Sequence, residues 1–138
     1  GSEMCIRDRD ARVTLIKKEN YWQESFERFI GTLGRHFWVA EMKNKNQSLF
    51  VGFIVGEIRA WEFGSQPCGW ILTILVSPKF QGRGLGETLF RAICSGMKND
   101  GVVTVRTMTA RDDNLNMSFF RAQGMMAGPF IELEKSLN

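Results

Sequence analysis

The sequence predicts a mixed α/β fold: a mostly antiparallel central sheet with flanking helices. Three observations predict it. Two apolar-rich segments, Phe37–Met42 and Leu49–Trp61, flank a polar Lys-Asn-Lys-Asn-Gln run, which is the signature of a hairpin. Trp70–Val76 is a near-continuous apolar run, as expected of a strand buried on both faces. A helical pattern over Leu85–Lys98 and a β-rich segment over Val102–Met108 follow it, giving a strand–helix–strand crossover.

Taken in order, Val13–Lys17 reads as a short strand. Asn20 can cap a helix over Tyr21–Leu33, where Trp22, Phe26, Phe29, Ile30 and Leu33 share one face. Gly31 and Gly34 weaken that helix and end it. Within the hairpin, Gly52 and Gly56 mark a bulge or a close backbone approach. Phe63–Pro67 is a loop. In the next helix Leu85, Leu89, Ile93 and Met97 align. Asp112 or Asp113 can cap Asn114–Gln123, with Gly124 as its stop. Phe130–Leu133 reads as a last strand.

The first residues read differently. Gly1-Ser2 resembles a scar of tag removal, and Met4–Arg9 resembles one frame of a sequencing adaptor. Residues 1–9 are therefore expected to be a non-native leader. One domain is expected over 10–138, with its natural start cut short.

Composition narrows the function classes. The net charge is +3 with no basic tract, so nucleic acid is not an expected partner. No apolar run approaches the roughly 20 residues a membrane helix needs. The three cysteines, Cys5, Cys68 and Cys94, show no C-x-x-C spacing. That argues against a disulfide framework or a metal site and for a reducing, cytoplasmic setting. The single histidine, His36, is expected to pack rather than react.

Ser77–Phe90 reads SPKFQGRGLGETLF. Three glycines open onto a helix, and helix N-termini present unpaired N–H groups to anions. The loop fits neither G-x-x-x-x-G-K-[ST] nor G-x-G-x-x-G. Gln81-x-x-Gly84-x-Gly86, after a strand ending Val76-x-Pro78, resembles the acyl-CoA loop [RQ]-x-x-G-x-[GA] of the GCN5-related N-acetyltransferase (GNAT) superfamily. The family's second signature, an Asn-led helix with paired aromatics and a closing glycine, is matched by Asn114, Phe119, Phe120 and Gly124. The resemblance runs from about Phe37 to Leu133.

It implies an acetyl-CoA-dependent N-acetyltransferase that acts on a protein N-terminus, a lysine or a small-molecule amine. The diphosphate would rest on Gln81, Gly82, Arg83, Gly84, Leu85 and Gly86, with Lys79 a weaker contact. The pantetheine arm would pair along Ile74, Leu75 and Val76, and Asn114 would bond the same arm. The Val76 N–H would polarise the thioester carbonyl. Dimers are common among similar proteins, so a homodimer stays open.

The sequence also departs from the family. Phe120 stands where a thiolate-protonating tyrosine is usual, and Met108 where some relatives carry a glutamate. At pH 7 a lysine is neutral about 0.04% of the time and an α-amine about 14%, a gap of about 300-fold or roughly 3.4 kcal/mol. A site without a strong base would favour the weaker amine. Alternatively Glu57 or Glu62 supplies the base, unless both are solvated strand-end charges. Trp61, Phe63, Cys68 and Trp70 line an acceptor pocket, or form core or a subunit contact. A CoA-binding module with little catalysis is the alternative reading.

Overall fold

A computed structural model describes residues 3–7, 12–17, 35–60 and 62–138. The expected helix at Tyr21–Leu33, its cap Asn20, and Trp61 lie outside the described residues. The chain divides into two compact units, Gly1–Met108 and Thr109–Asn138.

Among the described residues, the first unit is a six-stranded sheet with one α-helix. Its strands are β1 (Glu3–Arg7), β2 (Arg12–Lys17), β3 (Arg35–Asn44), β4 (Gln47–Arg59), β5 (Cys68–Val76) and β6 (Val105–Arg106). They lie in chain order, antiparallel throughout except for the parallel pair β5–β6. Helix α1 (Leu85–Asn99) makes the crossover between those two. The hairpin turns at Lys45, whose φ of 52° is the left-handed conformation a tight reversal demands. Glu3–Arg7, expected to belong to an added leader, forms β1 against β2.

Packing follows from the pattern of residues. Leu85, Leu89, Phe90, Ala92, Ile93 and Met97 form the buried stripe of α1. Each such large apolar side chain contributes about 1.5–3 kcal/mol when fully buried. The helix lies close to the sheet because glycines face it. A Cβ on Gly56 would stand 2.5 Å from the Trp70 carbonyl oxygen and 3.1 Å from Ile93 Cδ1. A Cβ on Gly69 would strike Met97 Sδ. Phe37, Val39 and Val55 form a second cluster with Phe53 and Leu72, and the Phe37 and Phe53 rings are 5.9 Å apart. At the helix C-terminus, the buried His36 bonds Asp100 Oδ2 through Nε2 at 2.7 Å.

Two bulges interrupt the ladder. One falls at Ala40/Glu41. At the other, Val55 pairs with Thr73 but Gly56 with Ile71, so Leu72 is an additional residue in β5.

Two expectations are corrected. The β-rich segment Val102–Met108 forms a strand only at Val105–Arg106, and Val103 is exposed. Phe130–Leu133 forms no strand: Leu133 is 90% exposed, and the composition of a four-residue run specifies no ladder by itself. In the second unit, α2 (Asn114–Ala122) is capped by Asp113, whose Oδ1 accepts from the Asn116 amide at 3.1 Å. It stops at Gly124, φ 91°. Among the described residues, no helix is long and apolar enough to cross a membrane.

Candidate active site

The glycine loop joins β5 to α1. Ser77 gives its amide to the Val51 carbonyl at 2.8 Å, ending β5. Pro78–Phe80 makes one 3-10 turn, anchored by the buried Phe80. Gly82 and Gly84 then take φ of 77° and 78°, a region that side chains with a Cβ disfavour. Gly84 is the N-cap of α1, and no side chain caps that end. Thr88 turns inward, bonding the Gly84 carbonyl through both its amide and its hydroxyl, at 3.1 and 2.9 Å. The first-turn amides, which have no intrahelical acceptors, therefore face outward with a partial positive charge. The Arg83 guanidinium lies 5.2 Å over the Phe80 ring, beside that opening.

Beside the loop lies a strand edge. Because Ser77 bonds β4, alternation makes Leu75 and Thr73 bond β4 as well and turns Ile74 and Val76 the other way. Below the Leu72 bulge the outward residues are Gly69 and Ile71. Gly69 gives its amide to the Thr104 carbonyl at 2.9 Å, and the Ile71 carbonyl accepts from Thr107 Oγ1 at 3.0 Å. The pairing of β5 with β6 covers only Gly69 and Trp70. The backbone of Ile74 and Val76 thus faces a gap where the two strands part. Gln81 bridges loop and edge, donating Nε2 to the Val76 carbonyl at 3.0 Å.

These residues fit the acyl-CoA that the resemblance implies. Uncapped amides beside positive-φ glycines suit a diphosphate. The edge of Ile74 and Val76 suits an extended, amide-bearing arm.

A polar group of residues occupies the opposite end of β5. Register aligns Arg35, Glu57, Trp70 and Arg106 in one row across four strands. Both Glu57 oxygens are engaged: Oε2 by Arg35 Nη2 at 2.8 Å and Oε1 by Arg59 Nε at 2.9 Å. The Arg59 guanidinium also lies 5.0 Å over the Trp70 ring. Glu62, 41% exposed against 16% for Glu57, stands 3.8 Å from Arg59 Nη1 through Oε2. That oxygen accepts no hydrogen bond among the described residues. Arg106 Nη1 donates to Ser65 Oγ at 2.9 Å and to Cys68 Sγ at 3.3 Å.

The sequence-predicted residues are therefore distributed as follows. Ile74, Leu75, Val76, Gln81, Gly82, Arg83, Gly84, Leu85 and Gly86 share one continuous strand–loop–helix segment. Glu57, Glu62, Cys68 and Trp70 gather at the other end of β5, with Phe63 strongly exposed. Asn114 and Phe120 belong to α2 in the second unit, where Phe120 packs edge-on to Phe119 at 5.2 Å. Met108 is exposed. Sequence reasoning missed Arg35, Arg59 and Arg106. Arg59 was accessible in principle, since it stands two residues from Glu57 and so shares its strand face. Arg35 and Arg106 needed the register.

The family model described as Acetyltransferase (GNAT) family matches residues 6–125. No curated protein matches the chain. Solved structures share the fold at low identity. One is the aminoglycoside N-acetyltransferase AAC(6')-Iy in complex with CoA, at 14% identity over 96% of this chain and 100% of that one, TM-score 0.77. Another is the aminoglycoside 6'-N-acetyltransferase AAC(6')-Ih from Acinetobacter baumannii, at 13% identity over 91% and 99%, TM-score 0.71. A third, from Pyrococcus furiosus and described as an acetyl transferase, is 18% identical over 90% and 99%, TM-score 0.71. The family match over most of the chain makes this protein a member of the GNAT acetyltransferase family, an N-acyltransferase whose cofactor is acetyl-CoA.

Proposed function

We propose that the protein acetylates a primary amine by direct transfer at the fork between β5 and β6. What supports this reading most is the juxtaposition of an uncapped, glycine-flanked helix start with the strand edge of Ile74 and Val76. The acceptor is a protein N-terminus, a lysine or a small-molecule amine. The aminoglycosides named for two solved relatives are of the last kind.

When bound, acetyl-CoA supplies the acyl group already activated as a thioester. The chain's residues do the rest. The Val76 N–H, turned toward the gap, donates to the carbonyl oxygen as charge develops there. Glu62 would take the proton the amine sheds through water, since it is the more exposed of the two carboxylates and stands 3.8 Å from Arg59 rather than in a close pair. Glu57, with both oxygens engaged, holds Arg35 and Arg59 in place instead. Water protonates the departing thiolate. Positioning supplies much of the rate. Cys68 and Cys94 are free thiols, which suits a cytoplasmic setting. The reading assigns this chemistry to residues 10–138 as one domain.

The test is thiol release from acetyl-CoA across a panel of peptides, polyamines, amino acids and aminoglycosides. Turnover on at least one amine is expected. Tight CoA binding without turnover on any of them would favour a binding module instead.

A further inference from the structure

We infer that Arg91 is a positioning residue of the cofactor site: it holds the Glu87 carboxylate back from the first-turn amides of α1 and so keeps them open to the diphosphate of CoA. The inference rests on the placement of CoA at this helix start, which belongs to the function proposed above, and deepens it.

The first turn of α1 holds two polar side chains, Glu87 and Thr88, and both are engaged away from its open end. Glu87 is the third residue of the helix and the acidic residue of its first turn. Side chains on a helix tilt toward its N-terminus, so a carboxylate at that position lies over the opening. A glutamate there ordinarily reaches back to a main-chain N–H at the helix start. Here Arg91, one turn farther on, takes it instead: Arg91 Nη2 donates to Glu87 Oε1 at 2.6 Å. Thr88 is spent on the Gly84 carbonyl, and Gly84 offers no side chain as a cap.

Magnitudes place the effect at the opening rather than in the fold. Arg91 and Glu87 are 73% and 46% exposed, and an ion pair so wet adds little to stability. A carboxylate within the first turn, by contrast, changes an equilibrium at the helix start by about two- to fivefold. Released from Arg91, Glu87 would both cover the amides and repel the diphosphate. Held by Arg91, it is turned along the helix and its charge is offset. Arg91 itself stands a further turn from the opening, so its influence there passes mainly through the carboxylate it holds.

The experiment is a double-mutant cycle on Glu87 and Arg91, read as the Kd of CoA by calorimetry at low and at high salt. Arg91→Gln is expected to weaken CoA about threefold at low salt, and Glu87→Gln to tighten it about threefold. With Glu87→Gln in place, Arg91→Gln should change almost nothing. Arg91→Lys keeps a cation within reach and should retain most of the affinity. The differences should shrink in about 0.5 M salt. An equal loss for Arg91→Gln in both backgrounds would mean that Arg91 acts by its own charge and would overturn the inference, as would unchanged or weaker binding by Glu87→Gln. Gly84→Asp tells this outcome apart from failure of the proposed site. If Gly84→Asp loses CoA while the cycle is additive, the site stands and the inference alone falls. If Gly84→Asp binds CoA as the unaltered protein does, or the unaltered protein binds none, the site falls and the inference with it.

Discussion

Gln81 and Val76 are joined by a 3.0 Å hydrogen bond from the side-chain amide of the first to the main-chain carbonyl of the second. Five residues apart, they lie on either side of the 3-10 turn at Pro78–Phe80, so this bond fixes the glycine loop relative to the strand edge. Under the proposed function, one side chain would set in register the two halves of the CoA site, one for charge and one for an extended arm. Removing it should loosen their relation without harming the core, because Gln81 is exposed. Gln81→Ala is expected to weaken CoA binding about three- to tenfold by calorimetry, with the melting temperature nearly unchanged. Unaltered affinity would show that the loop holds its place without the bond.

Gly84 separates strain from charge. A Cβ there meets nothing within 4 Å, so the obstacle to substitution is the φ of 78°. Asn tolerates that region best and should fold with little loss. Other side chains cost about 1–2 kcal/mol. Gly84→Asp should also fold, yet it places a carboxylate where a diphosphate would rest. We expect CoA affinity to fall at least about 100-fold in Gly84→Asp and far less in Gly84→Asn. Equal losses in the two folded variants would argue against an anion at this helix end.

Glu57 and Glu62 should part company under mutation. Glu62→Gln is expected to lower kcat about 100-fold with the melting temperature nearly unchanged. Glu57→Gln strips two arginines of a largely buried partner and should cost about 2 kcal/mol in urea unfolding. A Glu62→Gln enzyme with an unchanged kcat would remove Glu62 from proton transfer.

Cys94 offers a pH test. Burial raises its pKa from an ordinary 9.0 to about 11. At pH 8 its thiolate should be about 100-fold scarcer than that of a free thiol, so iodoacetamide should label it correspondingly slowly. The sign for stability follows. A raised folded-state pKa favours the folded chain below about pH 9 and ceases to do so as pH climbs through about 11. Rapid labelling of the Cys94 peptide at pH 8 in folded protein would contradict this.

The hairpin, the crossover helix and the glycine loop between β5 and α1 were legible in the sequence because each is written locally. Gly52 and Gly56 announced a close approach, and Leu75 O and Trp70 O lie 2.7 and 2.5 Å from where their side chains would begin. Asp113 and Gly124 announced the limits of α2 through cap chemistry alone. What escaped was what depends on register. Arg35 reaches Glu57 only because β3 and β4 align them, and Arg106 reaches Cys68 only through the parallel pairing of β5 with β6. Phe130–Leu133 shows the converse: a short apolar-rich run of strand-like composition forms no ladder here.

The additional residue at Leu72 makes β5 a phase-shifted ruler. Above it even-numbered positions point outward; below it odd-numbered ones do. Excising that single residue would join Ile71 to Thr73 with the alternation intact on both sides, so Val76 would stay opposite Gly52 with its outward amide and only the local bend and extra twist would be lost. Protein engineers can therefore flatten this strand by one residue at Leu72 and leave untouched the main-chain groups a guest molecule reads.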